Sequence, residues 1–229
     1  MKIQLSAVAG IALALFSSGA VHAAIIGTTG AVVVVPAPAN TTNGVLESST
    51  QILAFAERQS ITLNAALDVD ISVPGTSPSG GGQNLSPGTI PAGTVIDSYF
   101  LHFDVVGNPG ASNAIRGQGS LTFNANILGL IIFQAGLDAT DAFLGFPGSI
   151  YDTGDSGRDL EISTGSLAFT NDQIIVSADR RNLTVTLDDG NTPDEVRIIT
   201  SAVPEPASLA LLAATLTPLI LLRRRALNF

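Results

Sequence analysis

The stretch "SITLNAALDVDISV", Ser60–Val73, carries the clearest structural signal in the chain. Its odd positions Ile61, Leu63, Ala65, Leu67, Val69, Ile71 and Val73 are all apolar. The even positions hold Ser60, Thr62, Asn64, Asp68, Asp70 and Ser72, with only Ala66 as an exception. Side chains alternate across a strand, so a strict period of two predicts one long strand with one buried and one wet face. A second strand is expected at "TVIDSYFLHFDVV", Thr94–Val106, where both faces are apolar, as suits a central position in a sheet. Shorter runs follow near Ser120–Ala125 and Ile127–Ala135, then in "LEISTGSLAF", "DQIIVSAD", "RNLTVTLDDG" and "DEVRIITS". Clusters such as "PGTSPSGGGQNLSPG", "GNPGASN", "FPGSIYDTGDSG" and "DDGNTPD" punctuate them as turns. "ATDAFLG", Ala139–Gly145, reads as a turn of helix or an irregular corner. The expected fold is all-β, a single antiparallel β-sandwich or jelly-roll-like domain over residues 25–201.

Charge narrows what such a domain can touch. Residues 25–203 carry 18 carboxylates against six arginines and no lysine. A surface of that sign has no basic stripe to neutralise phosphates, so nucleic acid is not expected as a partner. The chain of 229 residues has no cysteine, which excludes a disulfide framework and a thiolate metal site.

The two ends differ from the body. "MKIQLSAVAGIALALFSSGAVHAA" joins Lys2, an apolar stretch from Ala7 to Phe16, and small residues at Val21, Ala23 and Ala24. That is the pattern of a secretory signal peptide, here residues 1–24, with cleavage expected after Ala23 or Ala24. At the other end, "AVPEPASLALLAATLTPLILLRRR" runs from Ala202 to Arg225. Sixteen residues without a charge, Ala207–Leu222, reach only ~24 Å as a helix against a ~30 Å hydrocarbon core. Pro218 further weakens this short transmembrane helix. Arg223, Arg224 and Arg225 follow, and such clusters stay on the cytoplasmic side, which places the body outside. A span so short makes a temporary tether.

An exported acidic body, then "VPEP", a short apolar helix and an arginine cluster resembles the PEP-CTERM sorting tail of Gram-negative bacteria, over residues 202–226. The resemblance implies that Pro204, Glu205 and Pro206 are a recognition element for an exosortase-type membrane protease. It also implies transient anchoring in the inner membrane, a final place at the cell surface or in the extracellular matrix, and association with exopolysaccharide or biofilm. The two prolines keep the segment extended, as a protease cleft requires. The body's "DSYFLHFDVVG", "DAFLGFPGSIYDTG" and "DEVRIIT" are similar to bodies attached to such tails, with no activity implied.

Within the body, His102 and Asp104 of "FLHFD" share one strand face, so an imidazole–carboxylate contact is expected. No Gly-x-Ser-x-Gly elbow accompanies them, and a structural histidine is the reading taken. A glycosidase pair is disfavoured by the absence of tryptophan and the presence of only Tyr99 and Tyr151 as amphipathic rings. Two acidic loops are calcium candidates: Asp152, Asp155, Asp159 and Glu161 in one, Asp188, Asp189, Asn191, Asp194 and Glu195 in the other. Solvated turns are the reading preferred for both, with no cofactor. Asp68 and Asp70 are expected on the wet face, discouraging edge-to-edge pairing. The function expected is that of a non-enzymatic surface or matrix protein; the alternative is a calcium- or glycan-binding adhesion module with the same tail.

Overall fold

The structure, a computed structural model, describes residues 22–77, 85–154, 157–160 and 172–203, all in one compact unit. In chain order the first strands are β1 (Ile25–Gly30), β2 (Val32–Val34), β3 (Ile52–Ala56), β4 (Ile61–Thr62), β5 (Leu67–Val69), β6 (Gly75–Ser77) and β7 (Gly88–Ile90). Then come β8 (Val95–Phe103), β9 (Ile115–Phe123), β10 (Ile127–Ile131), helix α1 (Gln134–Leu144), β11 (Gln173–Val176), β12 (Asn182–Asp189) and β13 (Asp194–Ser201). Five strands form an antiparallel sheet in the order β1-β9-β12-β11-β6. A six-stranded sheet runs β10-β13-β8-β3-β2, with β4 beside β8. It is mixed, because β2 and β3 pair in parallel, which departs from the purely antiparallel expectation. β5 and β7 form a separate pair.

Two apolar clusters follow from these alternations. The first takes Tyr99, Leu101 and Phe103 of β8 and Val196 and Ile198 of β13, together with Leu121, Leu183 and Val185 of the five-stranded sheet. The second lies on the opposite face of the six-stranded sheet and joins Phe55, Phe100 and Ile199 to Leu137 and Leu144 of α1. β8 and β13 are therefore buried on both faces, which accounts for their near-continuous apolar sequence.

Ser60–Val73 is not one strand. Ile61 and Thr62 pair with Ile96 and Val95 of β8, whereas Leu67–Val69 pairs with β7. Leu63, Leu67, Val69 and Ile71 are nevertheless buried, with exposed Asn64 and Asp68 between them. The period of two marks these four buried positions, but Ala65 and Val73 of the same face are exposed, and the chain changes pairing partner around Asn64–Ala66. Asp70 is likewise more than a solvated charge: its Oδ2 accepts the N–H groups of Ile132 and Phe133 at 2.8 and 3.2 Å. Those donors sit at the start of α1, where backbone N–H groups lack intrahelical partners. The helix begins earlier than Ala139 and takes in Gln134 and Ala135, both expected in the strand run Ile127–Ala135.

One glycine is dictated by close packing. Gly119 of β9 faces Gly30, and a Cβ there would meet the Thr29 carbonyl, with Val32 Cγ2 at 2.8 Å and Val32 N at 2.9 Å. Backbone atoms cannot rotate away. Gly119→Ala is expected to cost roughly 1–3 kcal/mol as overpacking, read from urea denaturation midpoints. A variant as stable as the parent would refute the close β1–β9 approach.

No helix among the described residues is long and apolar enough to cross a membrane. Residues 1–21 of the expected signal peptide and 204–226 of the expected tail lie outside the described residues, as does the expected strand "EISTGSLAF".

Candidate functional site

The register of β8 against β13 sets the polar centre of the molecule. His102 lies opposite Glu195, and Phe100 opposite Arg197, all on the face turned to α1. His102 Nδ1 is 3.0 Å from Glu195 Oε1, and both side chains are fully buried. The contact expected with Asp104 is thus made with a cross-strand carboxylate instead. Asp104 Oδ2 accepts the Gly44 N–H at 2.7 Å.

Arg197 has all five of its N–H donors engaged. Nε and Nη2 bind Glu57 at 2.8 and 2.7 Å, a bidentate pair. Nη2 also reaches Asp141 Oδ1 at 2.9 Å, while Nη1 donates to the Leu137 carbonyl at 3.1 Å and Thr140 Oγ1 at 2.6 Å. Its Cζ lies 5.0 Å from the Phe100 ring centroid and 5.5 Å from that of Tyr151, a cation–π arrangement. Ser98 Oγ donates to Glu57 Oε2 at 2.5 Å. Arg158, also buried, extends the chain of charges: Nη1 and Nη2 bind Asp141 at 2.8 and 3.1 Å, and Nε is 2.7 Å from Glu195 Oε2. A continuous line of charge runs from His102 through Glu195, Arg158, Asp141 and Arg197 to Glu57. It ties α1 and the 157–160 segment to the central sheet.

The surroundings move the proton affinities in opposite senses. Burial opposes the charge on Arg197, but Glu57 and Asp141 outweigh it and hold the guanidinium above its ordinary value. Arg158 is raised in the same way by Asp141 and Glu195. Burial pushes Asp141 up, yet Arg158 and Arg197 win and hold it below the usual carboxylate range. For Glu195 burial wins over His102 and Arg158, and the carboxyl is raised. Burial, with Asp104 nearby, pushes Asp189 up to about 6.

The two acidic loops expected as calcium candidates do meet. The Glu195 N–H donates to the Arg158 carbonyl at 3.2 Å, and Gly157 packs against Thr192. Their carboxylates turn to protein donors. Asp188 binds Arg116 through Nε at 2.7 Å and Nη2 at 2.5 Å, a pair set by their facing positions on β12 and β9. Asp189 Oδ2 accepts the Val105 N–H at 2.5 Å, and Asp152 Oδ2 accepts that of Asn43 at 3.2 Å. Asp194 is buried opposite Phe103. Asp159 is half-buried, and Asp155 and Glu161 lie outside the described residues, as do Pro204, Glu205, Pro206, Arg223, Arg224 and Arg225. Among the described residues no three histidine or carboxylate groups are placed to hold a metal ion.

Glu57, Asp141, Arg158 and Arg197 were not singled out from the sequence. Their only signal is weak: "DEVRIIT" sets one arginine inside an otherwise apolar stretch. Chemically, the arrangement stores charge in matched pairs. His102 Nε2 is buried without a hydrogen-bond partner, so no hydroxyl nucleophile is joined to it among the described residues. A separate groove of about 650 Å³ opens where the chain leaves β8 at Asn64–Ala66, walled by Leu63, Ala139 and Phe143. Compared with known proteins, the chain matches no family model, no curated protein and no solved structure.

Proposed function

We propose that this is an exported, non-enzymatic protein of the cell surface or extracellular matrix, delivered through a sorting tail that an exosortase-type membrane protease cuts. The body is read as a two-sheet β-sandwich, with a helix laid on the outer face of one sheet. The first apolar cluster supports that reading, since it takes side chains from both large sheets. One observation carries the functional reading: Pro204-Glu205-Pro206, a charge-free run over Ala207–Leu222 and Arg223–Arg225 follow one another in that order. The order suits a brief stay in lipid, with an extended peptide outside and a basic stop inside. The buried charges fit a non-enzymatic body, because Arg158 and Arg197 spend their donors on structural carboxylates. Exopolysaccharide is the proposed neighbour of the released body.

The test is genetic. In a host carrying such a protease, Glu205→Ala or deletion of Arg223–Arg225 is expected to leave the chain uncut in the inner membrane. Fractionation and immunoblotting give the readout. Unchanged release of a shortened chain from both variants would remove the sorting reading.

A further inference from the structure

Residues just before β1 are part of the fold. Ala23 is buried at 4 % exposure and belongs to the first apolar cluster. Its N–H donates to Asp97 Oδ2 at 2.6 Å, and its carbonyl accepts the Tyr99 hydroxyl. Ala24 exchanges two bonds with Asn124, through its N–H to Oδ1 at 2.7 Å and its carbonyl from the Asn124 N–H at 3.2 Å. His22 Nδ1 lies 3.0 Å from Ser60 Oγ.

Asp97 gives these contacts their weight. It is fully buried, and among the described residues no arginine or histidine forms an ion pair with it. Two backbone donors support the carboxylate, Ala23 N–H and Ser60 N–H, the second at 2.5 Å. A buried charge that loses a donor bears the full desolvation penalty of that lost bond. Burial and the Asp97 charge both raise the Tyr99 hydroxyl, which keeps it a donor to the Ala23 carbonyl.

The leader sequence offers more than one bond to a peptidase that requires small residues one and three places before the cut. Ser18 and Ala20 meet that need as well as Val21 and Ala23 do. The leader sequence does not choose between them, but only the upstream bond leaves the folded body its contacts at Ala23. A cut after Ala23 or Ala24 discards the residue that holds Asp97 and Tyr99, whereas a cut after Ala20 keeps it. We propose that the signal peptidase hydrolyses the Ala20–Val21 bond, so that the mature chain starts at Val21. Water supplies the hydroxyl to the Ala20 carbonyl carbon, the C–N bond breaks, and Val21 leaves with the new amino group. This rests on the signal-peptide reading and moves its boundary upstream of residues 23 and 24.

The full chain, exported with its own leader in a Gram-negative host, is the material for the test. Intact mass and N-terminal sequencing should give Val21. A start at Ala24 or Ile25 overturns the assignment but keeps the signal-peptide reading; a chain retaining Met1 overturns both. Thermal melting supplies the second measurement, on chains that begin at Val21 and at Ile25. The shorter chain should melt lower by roughly 5 °C. Equal melting temperatures overturn the role given to Ala23.

Discussion

Arg197→Met is expected to destabilise the body by about 3–5 kcal/mol, the range for breaking a buried ion pair from one side. The effect comes from what is left behind. Glu57 is fully buried, and its carboxylate would keep only neutral hydroxyl neighbours, Ser98 and Tyr151, with no cation against it. Asp141 would lose one bond yet retain Arg158. A double variant, Glu57→Gln with Arg197→Met, removes the orphaned charge and should recover a large part of the loss. Urea denaturation of the single and double variants measures both. A single-variant loss below about 1 kcal/mol would show that water reaches the pair and that the network does not hold α1 to the sheet.

The pH dependence should be inverted relative to a protein held by exposed salt bridges. Asp189 titrates at about 6 in the folded state, against about 3.9 in an unfolded chain. Between those values the folded state keeps a proton that the unfolded state has released, so stability falls as pH rises through the window. Asp104 and Glu195 are raised too and act in the same sense. Asp141 is lowered, and its contribution is present above about pH 4 and lost as pH falls through its folded value. Maximum stability is therefore expected near pH 4, with a decline from there through about pH 6 as Asp189 releases its proton. Each proton involved adds a slope of at most about 1.4 kcal/mol per pH unit. Asp189→Asn should flatten that decline, since an amide oxygen still accepts the Val105 N–H. Urea midpoints from pH 3 to pH 8 decide the matter, and a steady rise to pH 8 refutes it.

What could be read in advance follows from which forces leave a local imprint. β8, β12 and β13 are close to their expected spans because burial on one or both faces is written directly in side-chain polarity. Ser60–Val73 misled because alternation encodes a buried face and says nothing of which neighbour supplies the hydrogen bonds. The partner change is a tertiary choice, made where β8 gives way to β7. For His102 the expected partner Asp104 is near in sequence, but β13 delivers Glu195 directly across the ladder. The Arg197 network was invisible for the same reason, since its members lie on β13, α1 and the segment after β3. Arginine in an apolar strand is the one trace that sequence retains of it.

The position of β13 also sets the order in which the body can assemble. It is the last strand of the described chain, yet it lies inside the six-stranded sheet, zipped to β8 on one side and β10 on the other. Until residue 201 has been synthesised, β8 and β10 lack the strand that joins them, and both apolar clusters lack their β13 members. Contacts so distant along the chain slow folding. Under the export proposed above, this lateness would keep the chain pliable during passage and let it lock only once its final strand has emerged.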